Sequence, residues 1–174
     1  MEQKTYNTFC PYCDVEVEAI LDIRTERHCV RGEKIILDNV PVAVCPLCGQ
    51  DIGDSRVDGP TIDRAYNVYR TRHNMLFTED IKAIRARYGM SLREFSRYLG
   101  FGEQTYASYE NGSLPDELHD RMIRIASTLE GARLIIPLAE GAISEKSLRL
   151  ARAFAYPEET DTGLNETSPT ILDN

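Results

Sequence analysis

Four of the chain's five cysteines form two matched pairs, Cys10-Pro11-Tyr12-Cys13 and Cys45-Pro46-Leu47-Cys48. Two residues between cysteines let a tight knuckle aim both sulfurs at one ion. Two such knuckles complete a tetrahedron with Zn–S bonds of about 2.3 Å. Asp14 and Gly49, directly behind the knuckles, suit the tight or left-handed backbone expected there. The spacing predicts one zinc ion on Cys10, Cys13, Cys45 and Cys48. A closed four-thiolate site leaves no position for substrate, so the ion is expected to be structural. A redox dithiol is the rival chemistry, but it needs one CxxC beside a βαβ pattern, which the sequence lacks. His28 and Cys29, adjacent in a predicted strand, point to opposite faces, poor geometry for a nucleophile and its base. Both are expected to be structural or surface residues, and no catalytic residue is predicted.

A second chemistry resides in the run from Met90 to Gly112. Ser91 followed by Glu94 predicts a capping box, in which hydroxyl and carboxylate each satisfy an orphan amide. Leu92, Phe95, Ser96 and Leu99 share one face of the helix so begun. Gly100-Phe101-Gly102 breaks it tightly, with Phe101 as a plug under the turn. A short second helix follows from Glu103, with Tyr106 and Tyr109 inward and Asn111-Gly112 as its left-handed cap. Two short helices joined this way are a helix-turn-helix unit, whose second helix lies in the DNA major groove. The exposed positions near the start of that helix, Glu103, Gln104, Thr105 and Ser108, are the candidate base readers. Gln104 can grip adenine N6 and N7, and Thr105 can meet a thymine methyl. Ser91, Arg93, Arg97 and Asn111 are candidate phosphate positioners or solvated surface groups.

This run resembles the Cro/repressor-type helix-turn-helix family at Ser91, Glu94, Leu99-Gly100-Phe101, Thr105 and Tyr109-Glu110-Asn111-Gly112. Two positions depart from the family pattern. Leu92 stands where the family carries a phosphate-touching glutamine, a contact Arg93 can replace, and Ser96 stands where it carries a small alanine. Family members often place Arg or Asn where Gln104 and Ser108 stand, so a different preferred operator is expected.

The 174 residues suit one or two small domains. The net charge of −8 is unevenly spread: −5 over residues 1–60, +1 over 61–128 and −4 over 129–174. Acidity therefore lies outside the helix-turn-helix segment, where local charge governs phosphate contact. Acidic flanks suit a basic protein partner or simply aid solubility. No apolar run is long enough to span a membrane, and Met1-Glu2-Gln3-Lys4-Thr5 lacks a signal peptide's apolar stretch. The expected location is the cytoplasm, at the nucleoid, where cysteines are thiols or metal ligands.

Between the knuckles, Val15 through Ala19 alternates apolar and polar, and Ile35-Ile36-Leu37 and Val40 through Val44 continue as strand, with Arg31-Gly32-Glu33-Lys34 the turn. Asp51 through Pro60 is breaker-rich and marks a boundary. From Thr61 the pattern turns helical, ending in Arg64, Arg70, Arg72 and His73, which suit phosphate contact or a solvated linker face. Thr78 is the expected cap of the next helix, with Ile81, Ala83, Ile84 and Tyr88 apolar and Gly89 at its end. Pro115 opens another, with Leu118, Met122, Ile125 and Leu129 as the expected buried stripe. Leu134, Ile135, Ile136 and Leu138, interrupted by Pro137, suit a buried or dimer-forming helix, and Ser144 through Tyr156 reads as the last, with Leu148, Ala151 and Phe154 or Ala155 inward. The composition from Pro157 onward predicts disorder.

The expected fold class is α+β in two domains: a small zinc-pinned β-hairpin or sheet, then an all-α Cro/repressor-type helix-turn-helix bundle. The expected divisions are 1–59 for the zinc domain, 60–76 for a linker helix, 77–130 for the DNA-binding domain and 131–174 for a C-terminal extension.

The two modules in this order resemble the MqsA-type antitoxins, zinc-finger/helix-turn-helix partners of toxin–antitoxin pairs. The likeness includes Asp22-Ile23, Arg31-Gly32-Glu33-Lys34, Leu37 and the Cys45 knuckle, and covers roughly residues 9 to 128; the tail from Gly131 exceeds the usual family length. It implies an N-terminal zinc domain that grips an mRNA-cleaving toxin and a C-terminal domain that forms a homodimer on a palindrome in its own promoter. The expected function is thus an antitoxin and autorepressor, not an enzyme. The alternative is a zinc-containing helix-turn-helix regulator, phage-derived or not, with no toxin partner.

Overall fold

The computed structural model describes residues 5–157, so the disorder predicted beyond Pro157 lies outside the described residues. The chain divides into two compact units between Met75 and Leu76. The described residues form four strands and seven helices, and none of those helices is long and apolar enough to cross a membrane.

The first unit is an antiparallel sheet in the order β1 (Thr5–Cys10), β2 (Val15–Val30), β3 (Glu33–Val44), β4 (Asp51–Ile52), followed by helix α1 (Ser55–Arg72). The alternation of Val15 through Ala19 is a real strand period: Val17 and Ala19 are buried, and Val15, Glu16 and Glu18 are exposed. Arg31 and Gly32, at φ 50° and 83°, join β2 to β3, and positive φ at both central residues marks the tight hairpin turn that matches strand twist. The turn is narrower than the predicted four residues, since Glu33 and Lys34 already pair with Val30 and Cys29. His28 and Cys29 take opposite faces, His28 half-buried and Cys29 exposed.

Helix α1 begins at Ser55, earlier than the breaker-rich sequence predicts, and runs through Pro60. Asp54 caps it, accepting from Arg56 N–H at 2.9 Å and from Thr8 Oγ1 at 3.0 Å, while Asp58 accepts from Asp54 N–H at 2.9 Å. Val57, Thr61 and Ala65 are buried, so packing and cap together outweigh the proline. The basic end of the helix grips its own sheet. Arg64 donates to the carbonyls of Asp38 (2.6 Å) and Asn39 (3.2 Å), Arg72 pairs with Glu33, and His73 Nε2 lies 2.7 Å from Glu33 Oε2.

The second unit is all-helical: α2 (Thr78–Tyr88), α3 (Leu92–Tyr98), α4 (Thr105–Glu110), α5 (Glu117–Ala126), α6 (Leu129–Ala139) and α7 (Glu145–Ala155). Its core joins Ile81, Ile84, Tyr88, Phe95, Tyr98, Leu99, Tyr106 and Ile123 to Ala132, Ile135, Ile136, Leu148, Ala151 and Ala155. Three buried tyrosine hydroxyls tie helices together through backbone carbonyls: Tyr88 to Ala126 (2.6 Å), Tyr98 to Ala132 (3.1 Å) and Tyr106 to Ile81 (2.7 Å). Burial raises the pKa of each of these phenols, that of Tyr98 to about 12, so all three stay donors.

Several local expectations change. The N-cap of α2 is Phe77, not Thr78; Asp80 accepts from the Phe77 N–H at 3.2 Å. Ala83 is exposed. Helix α5 is rotated from the predicted stripe: Asp120, Ile123 and Ala126 are buried, while Leu118 is 67 % and Ile125 43 % exposed. The cause is polar. Asp120 accepts from Leu76 N–H at 2.9 Å and from Arg124 Nε at 2.7 Å, and Tyr88 binds Ala126, so hydrogen bonds set the face that apolar counting assigned to leucines. Helix α6 continues through Pro137 to Ala139, forgoing the bond that residue 137 would make back to the Arg133 carbonyl.

Gly131 lies inside α6, and a Cβ there would stand 1.8 Å from the Ile125 carbonyl oxygen. Glycine to alanine in a helix normally adds about 0.5–1 kcal/mol of stability. Here Gly131→Ala is expected to lower it by roughly 1–3 kcal/mol or more through overpacking. Urea unfolding of both proteins checks this, and a variant as stable as wild type would show that the α5–α6 contact yields freely.

Candidate metal centre and nucleic-acid interface

The knuckles lie at the strand ends. Cys10 closes β1, Cys13 precedes β2, Cys45 follows β3 and Cys48 precedes β4. Asp14 N–H donates to Cys10 C=O and Gly49 N–H to Cys45 C=O, both at 2.9 Å, with Asp14 at φ 59° and Gly49 at φ 73°. These left-handed residues turn each knuckle back so that its two sulfurs converge. Cys10 Sγ is 3.8 Å from Cys48 Sγ, Cys13 Sγ is 3.9 Å from Cys45 Sγ, and all four sulfurs lie within 4.8 Å of one another. A regular tetrahedron with Zn–S bonds near 2.3 Å has edges of about 3.8 Å. Burial works to raise the Cys45 thiol, but N–H donors from Cys48 and Leu47 outweigh it and bring it to about 7, while hydrogen bonding to Cys48 and burial push Cys13 up to about 12, so Cys45 is the first of these sulfurs to ionise without an ion. The four cysteines form a single structural zinc site.

In the second unit, α3 and α4 are joined by Leu99 through Gln104. Gly100 carries the positive φ of the turn at 75°. Phe101 is buried beneath it, its ring centroid 4.0 Å from that of His119. Ser91 Oγ accepts from Glu94 N–H at 3.3 Å, the first half of the predicted box. The second half is redirected: the Glu94 carboxylate accepts from Ser144 N–H and Oγ, both at 2.8 Å, and so reaches the N-cap residue of α7. Gly112, at φ 102°, rather than Asn111, at φ −95°, supplies the left-handed residue after α4.

A family model described as the antitoxin component of bacterial toxin–antitoxin system, MqsA, matches residues 8–128. The chain belongs to this family. No individually curated protein matches it. Membership carries a general antitoxin role, with a toxin as the partner class. The match takes in both knuckles and the α3–α4 pair, and it ends before α6 and α7.

Within this antitoxin, Gln104 is exposed at the N-cap of α4, and its side chain makes no cap bond. Thr105 and Ser108 are half-buried, with Ser108 Oγ donating to Thr105 C=O at 2.7 Å. Glu103 ion-pairs with Arg93 and Arg97. Ser91, Arg93 and Asn111 are exposed and Arg97 is half-buried. Leu92 is also exposed, so only Phe95, Ser96 and Leu99 of the predicted apolar face are buried.

Two residues in this segment have roles that their place in the motif does not disclose. Ser96 is fully buried; its hydroxyl donates to Gly102 C=O at 2.5 Å and accepts from Tyr106 N–H at 3.3 Å, pinning α3 to the turn and to α4. An alanine there would lose both bonds. Glu110 is buried and takes Arg85 through two bonds of 2.7 and 3.0 Å, while Arg85 Nη1 donates to Met90 C=O at 2.8 Å. A charge among inward-facing tyrosines was the available signal, since a buried carboxylate requires a partner.

Metal analysis of reduced protein is expected to find one zinc per chain. A chelator is expected to remove amide-exchange protection from β1–β4 while α2–α7 keep theirs, because the ion holds only the first unit. Unchanged protection in the strands of metal-free protein would show that the sheet folds without it.

Proposed function

We propose that this antitoxin neutralises a basic, mRNA-cleaving toxin through its zinc unit and represses its own operon through α3 and α4. The observation that carries the DNA reading is Gln104. It is an exposed amide at the first turn of a short helix whose inner face is pinned by Ser96, Tyr106 and Tyr109. A helix held that way presents its N-terminal residues rigidly, as major-groove readout requires. Within the second unit, residues 76–128 net −1 against −4 over 129–174, so most of that unit's acidity lies outside α3 and α4, where local charge governs phosphate contact. Ser91, Arg93, Arg97 and Asn111 are the proposed phosphate positioners, and Thr105 and Ser108 flank Gln104 as secondary readers. A repressor of its own operon works in the cytoplasm, at the nucleoid.

A second copy completes the operator complex, because a palindrome calls for a two-fold protein with half-sites about 34–36 Å apart. Leu134 and Leu138, one turn apart on α6 and 69 % and 81 % exposed, support a dimer. The first unit, net −3 over residues 1–75 and −5 over its sheet-bearing residues 1–60, supports a basic toxin.

Gln104→Ala in the full-length protein is expected to weaken binding to the DNA upstream of its own reading frame by about 1–3 kcal/mol and to leave random duplex almost unaffected. Equal loss on both duplexes would remove Gln104 from base readout. Co-expression with the neighbouring reading frame is expected to yield a stable complex containing a ribonuclease. Free antitoxin with no co-purifying neighbour would favour the regulator without a toxin.

A further inference from the structure

The two arginines proposed to meet phosphate are already engaged. Arg93 and Arg97 stand one turn apart on α3, and both reach the carboxylate of Glu103, in the connection just before α4. Arg93 Nη2 donates to Glu103 at 2.8 Å, Arg97 Nη2 donates to the same carboxylate, and Arg97 Nη1 lies 3.6 Å from Glu94. Arg93 and Arg97 together hold the Glu103 carboxyl below its ordinary value, so a full negative charge lies across both cations at neutral pH. All three groups remain open to solvent, with side-chain exposures of 61 % for Arg93, 34 % for Arg97 and 41 % for Glu103. Glu103 precedes Gln104, so the carboxylate sits beside the proposed reading head rather than on a remote surface.

We propose that Glu103 is a specificity determinant, a carboxylate that occupies Arg93 and Arg97 as a backbone phosphate would. The proposal rests on the DNA-binding reading of α3 and α4. Non-cognate DNA offers mainly phosphate, and phosphate neutralisation supplies essentially all non-specific affinity. With Glu103 in place, such DNA must displace one anion to install another and gains little. An operator that also engages Gln104 has base contacts to offset the displacement. Exposed ion pairs are weak and salt-screened, so Glu103 tunes binding rather than blocking it. This role replaces the base-reading role that sequence position alone assigned to Glu103.

The test uses full-length, zinc-loaded protein and fluorescence anisotropy on two duplexes, the DNA upstream of its reading frame and a random sequence, from about 50 to 200 mM salt. Glu103→Gln is expected to raise random-duplex affinity roughly three- to tenfold and to steepen the slope of log affinity against log salt by about one to two. Affinity for the upstream DNA rises less, so the specificity ratio falls. Adding Arg93→Gln and Arg97→Gln to that variant returns random binding to the wild-type level or below. Glu103→Ala, with circular dichroism of each variant, separates the charge effect from misfolding. Unchanged random affinity and slope would overturn the proposal. So would a loss confined to the upstream DNA, which would make Glu103 a base reader. Wild-type protein with no preference for the upstream DNA would remove the DNA reading itself, an outcome distinct from either.

Discussion

The first unit depends on four sulfurs occupying the corners of one tetrahedron. Each knuckle ties a strand end to its neighbour, and the ion's position ties the two knuckles together, so the register of β1, β2, β3 and β4 near that end is fixed at one point. The apolar cluster beside it is small: Val17, Ala19, Ala43 and Ile52 with the buried sulfurs of Cys10 and Cys45. A cluster of that size contributes little to ordering the strand ends at the knuckles, where metal binding free energy adds to it, while Ile35, Leu37 and Val40 are buried farther along the hairpin. The hairpin then extends well beyond the knuckles, and a second restraint acts along it. Arg64 holds the strand carbonyls at Asp38 and Asn39, and Glu33 receives Arg72 and His73 near the β2–β3 turn. The hairpin is thus held by sulfur at its base and by α1 along its length.

The second unit solves a different problem. Helices as short as α3 and α4 do not persist alone in water, so their order comes from tertiary contacts. Aromatic rings provide the bulk, with Phe95 4.9 Å from Tyr88 and 4.8 Å from Tyr106, centroid to centroid. Direction comes from polar bonds inside that apolar mass. Ser96, the tyrosine hydroxyls and the Arg85–Glu110 pair each meet a defined acceptor or donor, and an unpaired buried polar group would cost more than a bond returns. The start of α4 is held in one orientation as a result, with Gln104 outward.

Features governed by local chemistry were legible from sequence: the zinc ligands, the hairpin, the Ser91 cap, the glycine turn, and the inward Tyr106 and Tyr109. Features set by long-range partners were not. The face of α5 could not be read because Asp120 answers to Leu76, distant in sequence. Glu94 looked like half of a capping box because its true partner, Ser144, lies fifty residues on. The ion pairs of Glu103 could not be read either, because two arginines on the preceding helix have no sequence signature as its partners. Strand β1 carried no pattern strong enough to outweigh its polar residues, and only its pairing with Val15 through Ile20 makes it a strand.

The family match stops at 128, yet the fold does not. Tyr98 donates to Ala132, Glu94 binds the N-cap residue of α7, and Ile135, Ile136, Ala139, Leu148, Ala151 and Ala155 belong to the same buried cluster as Phe95 and Tyr106. Phe154 closes on Tyr88 at 4.2 Å. Cutting the chain at the family boundary would leave the Tyr98 hydroxyl without its carbonyl and uncover the rings that position α3. The extension is therefore part of what holds α3 in place, and through the Ser96 bonds of α3 the start of α4. Because α6 also carries Leu134 and Leu138 outward, its two faces differ in kind: the inner face packs against α3, whose Ser96 holds the start of α4, and the outer face leaves two leucines in solvent.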